Sequence, residues 1–196
     1  MVVATNSATT CNSNMTGMAT VTVNTQPSAF VLSSSASSYC AGGTGVTLNL
    51  AGSQSGVTYR LYNGTTSASP AIPGTGGSIT FGLKTGAGAY TAIATDGLNG
   101  CTTTMTGSPS IQINSLPEAF TVAGGGSYCT GGAGVAVTVA GSESGINYQL
   151  LNGSTPTGTF VAGTGSAVSL NTTAAGTYSV QAVNPATGCR VNINGS

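Results

Sequence analysis

The sequence predicts an all-β protein: tandem β-sandwich repeats of about 89 residues with one disulfide in each. Three observations predict it. Tyr39-Cys40-Ala41-Gly42-Gly43-Thr44-Gly45-Val46 returns 89 residues later as Tyr128-Cys129-Thr130-Gly131-Gly132-Ala133-Gly134-Val135, and self-similarity at a fixed spacing is the signature of a repeat architecture. Short alternating runs of Val, Ile, Thr and Tyr lie between Gly, Asn, Ser and Pro, which is strand patterning with turn punctuation. No stretch keeps a helical period, and 31 glycines would interrupt one.

The echoes continue in order. Ala51-Gly52-Ser53-Gln54-Ser55-Gly56-Val57-Thr58-Tyr59 matches Ala140-Gly141-Ser142-Glu143-Ser144-Gly145-Ile146-Asn147-Tyr148. Ala87-Gly88-Ala89-Tyr90 matches Ala175-Gly176-Thr177-Tyr178, and Gly100-Cys101 matches Gly188-Cys189. Residues 1–25 align with the tail of a repeat. With Cys11 on Cys101, Val3-Ala4-Thr5-Asn6 falls on Ile93-Ala94-Thr95-Asp96, and Val21-Thr22-Val23-Asn24 falls on Ile111-Gln112-Ile113-Asn114. Residues 1–25 are therefore expected to be strands F and G of a preceding repeat in a longer array. Residues 26–115 form repeat 1 and residues 116–196 repeat 2, whose last strand is expected to be short or truncated.

Within repeat 1 the strand candidates are 29–33, 46–50, 57–62, 78–81, 89–95 and 110–114, with a weaker one near 68–72. Val46, Leu48 and Leu50 share one face, as do Val57, Tyr59 and Leu61, the period-two arrangement of a half-buried strand. About seven short strands with turn signals every 8 to 12 residues suggest an immunoglobulin-like sandwich. Tyr90 and Tyr178 occupy the tyrosine-corner position of such sandwiches, near the start of strand F. Pro27 and Pro117 mark short junctions, too short to act as flexible tethers.

Six charged residues and no His in 196 residues, with zero net charge, exclude an electrostatic nucleic-acid footprint. A neutral surface instead favours association. A hydrophobic fraction of 39% argues against disorder. No apolar run approaches the 18 residues of a membrane span, and Met1-Val2-Val3-Ala4-Thr5 lacks the basic start of a signal peptide. An exported chain of this kind is processed or a fragment.

Cys40 and Cys101 are 61 residues apart and Cys129 and Cys189 are 60 apart. Equivalent placement suggests one bridge per repeat, with Cys11 unpaired in this segment, and places the chain outside the cytosol. Zinc is disfavoured, since each repeat has two cysteines and no His.

Three scattered carboxylates and no His assemble neither a Ser-His-Asp triad nor a glycosidase carboxylate pair, and no cofactor is implied. The glycine clusters at 42–45 and 124–126 lack the Lys and helix of a phosphate loop. Lys84, considered for an isopeptide crosslink, has no Lys counterpart near Thr172. Five triplets beginning at Asn14, Asn63, Asn152, Asn171 and Asn194 fit the sugar-acceptor pattern, at a number chance explains in so Ser- and Thr-rich a chain. Tyr59 and Tyr62 flank Arg60, but alternation turns Tyr59 inward.

Taken together, Tyr-Cys-x-Gly-Gly-x-Gly-Val, Gly-Ser-Gln/Glu-Ser-Gly-Val/Ile-x-Tyr and Ala-Gly-x-Tyr-(x)10-Cys resemble the immunoglobulin-like repeats of giant Bacteroidota cell-surface adhesins. The resemblance implies export to the cell surface and non-catalytic adhesive or scaffolding work in a semi-stiff rod. Its implied partners are neighbouring repeats, copies of the same chain in a fibre, and surface glycans or other cells. Two alternatives stand beside it. One is a self-assembling filament subunit, although Cys129 paired with Cys189 would leave Cys11 no role in joining copies. The other is a carbohydrate-binding module of a secreted protein.

Overall fold

A computed structural model describes residues 2–158 and 160–193. The chain opens with an isolated antiparallel hairpin, β1 (Val3–Thr5) and β2 (Asn12–Asn14). Residues 16–30 belong to no strand, and Met18, Val21 and Val23 are 97%, 87% and 91% exposed.

The first unit comprises β3 (Leu32–Ser34), β4 (Ser38–Cys40), β5 (Val46–Leu50), β6 (Val57–Asn63), β7 (Thr66–Ser67), β8 (Ile72–Pro73), β9 (Ile79–Lys84), β10 (Gly88–Asp96), β11 (Thr102–Thr104) and β12 (Ser110–Asn114). One sheet has the order β3-β5-β9; the other runs β4-β12-β10-β6-β7, with β11 on β10 and β8 on β6. Alternation fills the space between them. Val46, Leu48 and Leu50 from β5 and Val57, Tyr59 and Leu61 from β6 are buried, joined by Tyr90, Ala92 and Ala94 from β10 and Ile111 from β12.

The second unit repeats this with β13 (Val122–Gly124), β14 (Val135–Val139), β15 (Asn147–Asn152), β16 (Thr155–Pro156), β17 (Val161–Ala162), β18 (Val168–Thr172), β19 (Tyr178–Val183) and β20 (Arg190–Ile193). Its sheets are β13-β14-β18 and β16-β15-β19-β20, with β17 on β15. A bulge at Gly82, where φ is 73°, shifts the β5–β9 register, whereas β14 and β18 pair without a break. That single extra residue shortens the repeat spacing from 89 at Cys40 and Cys129 to 88 at Cys101 and Cys189.

Arg190 pairs with Val183 as Thr102 pairs with Thr95, so β20 is the counterpart of β11. Among the described residues, no strand of the second unit takes the place of β12.

Candidate functional site

The chain is fixed as it arrives in each unit. The Ser28 amide donates to Gln54 Oε1 at 2.7 Å, and the Glu118 amide donates to the Glu143 carboxylate. Pro27 and Pro117, one residue earlier, are buried. Only Ser115 and Leu116 therefore separate β12 from the anchored start of the second unit. The repeated Ser-Gln/Glu-Ser motif is thus the clamp on the incoming chain. Its neighbour Tyr59 is fully buried and accepts a hydrogen bond from the Gln54 amide at 2.8 Å; Tyr148 does the same for Glu143 at 2.9 Å.

Tyr90 donates to the Gly86 carbonyl and Tyr178 to the Ala174 carbonyl, both at 2.8 Å. Burial raises the Tyr90 phenol above its ordinary value, and does the same for Tyr148, because desolvation disfavours phenolate. The other tyrosine of the repeat motif, Tyr39, reaches across to the Thr85 carbonyl at 2.5 Å. Lys84 pairs with Val46 at the end of β9, where Thr172 stands in the second unit. The sugar-acceptor triplet at 194–196 lies outside the described residues.

The cysteines correct the pairing expected from spacing. Cys40 is bonded to Cys189, with a Cα–Cα distance of 5.5 Å, while Cys11, Cys101 and Cys129 are free. Pairing Cys40 with Cys101 fails on geometry. Cys40 lies opposite Asn114 at the end of β12, and β12 runs antiparallel to β10, with Ile111 opposite Gly88. Cys101 lies at the other end of β10, where its carbonyl accepts from the Asp96 amide. Gly88 to Asp96 spans roughly 26 Å of strand at about 3.3 Å per residue, far beyond the 4.4–6.8 Å a disulfide bridges. Cys40 instead marks the end where the chain leaves the first unit, and Cys189 the hairpin end of the second. The bond is a staple across the junction.

A second feature has no counterpart among the sequence expectations. A cleft of about 520 Å³ opens in the second unit, lined by Val122, Tyr128, Val135, Val137 and Tyr178 with Gly124 to Gly126. Leu32, Val46 and Tyr90 are buried in the first unit. Their counterparts Val122, Val135 and Tyr178 are only half-buried. In the first core this space is filled by Ile111 of β12, which is 2% exposed; among the described residues of the second unit no side chain takes that place. Among the described residues no cluster of His, Cys, Asp or Glu could hold a metal.

No family model matches the chain, and no curated protein matches it. Among solved structures, the human OSCAR ligand-binding domain aligns at 14% identity over 88% of this chain and 98% of its own, with a TM-score of 0.38. Fibronectin(III)-like modules of Clostridium thermocellum CbhA align at 14% identity over 84% and 93%, TM-score 0.38. The CD2-binding domain of CD58 aligns at 11% identity over 80% and 95%, TM-score 0.29. The β-sandwich assignment rests on the strand order above, to which likenesses at these scores add nothing.

Proposed function

We propose that this chain is a non-catalytic structural segment of an extracellular cell-surface protein, in which tandem sandwiches form a semi-stiff adhesive rod of the kind found in Bacteroidota surface adhesins. The observation that carries the reading is the Cys40–Cys189 bond across the unit junction. Disulfides persist in oxidising compartments, and this one adds a second covalent tie to a two-residue junction anchored at Pro117 and Glu118. Two ties restrict both bending and twisting. The dearth of charge leaves no catalytic machinery to compete with a mechanical role, and the buried Tyr59 provides no platform for stacking a sugar.

The test is non-reducing peptide mapping combined with small-angle scattering of oxidised and reduced protein. The expected result is a Cys40–Cys189 peptide and a narrow distribution of extended shapes that broadens on reduction. A Cys40–Cys101 peptide, or a broad distribution with the bond intact, would overturn the rod. Protease shaving of intact expressing cells tests display: loss of the protein without lysis is expected, and full protection would overturn a surface location. A second reading is a subunit of a self-assembling filament; the expected objection to it, that Cys129 is occupied by Cys189, does not apply to the observed pairing, in which Cys129 is free.

A further inference from the structure

We propose that the first unit binds a carboxylated sugar, the acidic residue of an anionic polysaccharide, in the gap between the β6–β7 hairpin and β9. This deepens the adhesive reading above and rests on it. The gap has a volume of about 580 Å³ and is lined by Asn63, Thr66, Ser67, Leu83, Lys84 and Thr85, within the size range of small-ligand sites.

Its chemistry is set by the bulge at Gly82. Alternation from the buried Ile79 and Phe81 would turn Leu83 inward and Lys84 to solvent. The extra residue reverses them. Lys84 lies opposite Val46, which is 1% exposed, and Leu83 lies opposite Thr47. Directly opposed residues share a face of the sheet. Lys84 is therefore on the inner face and half-buried, while Leu83 is 56% exposed.

An ammonium in that place calls for a negative partner, because burial removes water that something else must replace. The chain's carboxylates are engaged elsewhere. Asp96 accepts from the Leu98 amide at 2.8 Å and from the Asn99 side chain at 3.2 Å, in the hairpin at the far end of β10. The Glu143 carboxylate holds the Glu118 amide. An inward lysine on an edge strand also guards against edge pairing, yet the second unit does without one. There β14 and β18 pair without a bulge, Thr172 stands opposite Val135, and its hydroxyl donates to Tyr178 Oη at 2.7 Å. A neutral hydrogen bond occupies the place where the first unit has its cation.

The surroundings select a sugar acid over a bare anion. Thr66 and Thr85 are exposed and bring hydroxyls from the hairpin and from the turn after β9. Leu83 offers apolar surface to the C–H face of a pyranose ring. The walls are fixed in advance: Asn63 Nδ2 donates to the Ala87 carbonyl at 2.9 Å, and the Tyr90 hydroxyl to the Gly86 carbonyl at 2.8 Å. Such preorganisation lowers the ordering cost of binding.

The experiment titrates the full chain with trigalacturonic acid, its methyl ester, acetate, inorganic phosphate and a tri-aspartate peptide, read by calorimetry and by amide shifts of isotopically labelled protein. Saturable binding of trigalacturonate is expected, with shifts confined to residues 63–67 and 83–86 and weakening as salt is added. Lys84→Thr, which carries the second unit's residue at this place, should leave the thermal midpoint within about 3 °C. It should weaken binding about tenfold or more, the worth of a charge-assisted hydrogen bond, and the methyl ester should bind the parent as weakly. Thr85→Val should weaken the trisaccharide and not acetate, a comparison that stands even if Lys84→Thr does not fold. Equal affinity for acid and ester, or Lys84→Thr without effect on binding, overturns the site. Acetate, phosphate or tri-aspartate bound as tightly as trigalacturonate overturns the sugar. Folded protein that binds none of them overturns the proposal and leaves the rod, which the Cys40–Cys189 peptide decides separately.

Discussion

Removing the side chain of Ile111 tests whether β12 is the strand that completes a sandwich. Ile111 is 2% exposed and belongs to the first core with Leu32, Val46 and Tyr90. Ile111→Ala deletes three buried carbons and leaves a cavity, a loss of about 2–5 kcal/mol for substitutions of this kind; about 3 kcal/mol is a central value. A unit of about 90 residues has an unfolding entropy near 0.19 kcal/mol/K, from about 2.1 cal/mol/K per residue, so its midpoint should fall by about 15 °C. The control is Val21→Ala at the aligned position of the same chain. Val21 is 87% exposed, and in dilute protein its truncation should move neither transition by more than about 1 °C. Differential scanning calorimetry under oxidising conditions, with the two transitions resolved, reads both variants. A shift below about 4 °C for Ile111→Ala, or equal shifts for the two variants, would refute the role assigned to β12 and with it the account of the cleft.

Cys40→Ser should lower the free energy of complete unfolding by up to about 5 kcal/mol, the chain-entropy value for a bond spanning 149 residues; chemical denaturation checks it, and an unchanged midpoint would show that the staple constrains only the junction. Gly74→Ala should destabilise the first unit by about 3 kcal/mol, because a Cβ there would overlap the Gln54 carbonyl oxygen and press on the Tyr59 ring; a thermal midpoint within error of the parent would refute the close approach. Stability should be full below about pH 10, the ordinary tyrosine value, and fall as pH rises beyond it. The folded-state values of Tyr90 and Tyr148 are raised by burial, so above pH 10 the unfolded chain releases protons that the folded chain retains. Denaturation from pH 8 to 12 should show that decline, with a shallower slope for Tyr90→Phe.

The sequence alone determined what depends on local pattern. Alternation at Val46, Leu48 and Leu50 and at Val57, Tyr59 and Leu61 specified which faces are buried, because a strand's side chains alternate whatever it packs against. Recurrence of whole motifs specified two units, since equal sequences meet equal local constraints. The inward turn of Tyr59 and the placement of Pro27 and Pro117 at the junctions were legible for the same reason. Disulfide partners and the place of β20 in its sheet were decided only in three dimensions. Cys40 and Cys101 look like partners by count, but the antiparallel run of β10 against β12 carries them to opposite ends of the sandwich. Val191 and Ile193 read like the last strand by composition, yet hydrogen bonding to β19 claims them as the counterpart of β11. Which ends of strands meet, and which neighbour a strand pairs with, depends on pairing direction and register, and a single chain's residue pattern does not encode either until the sheets have formed.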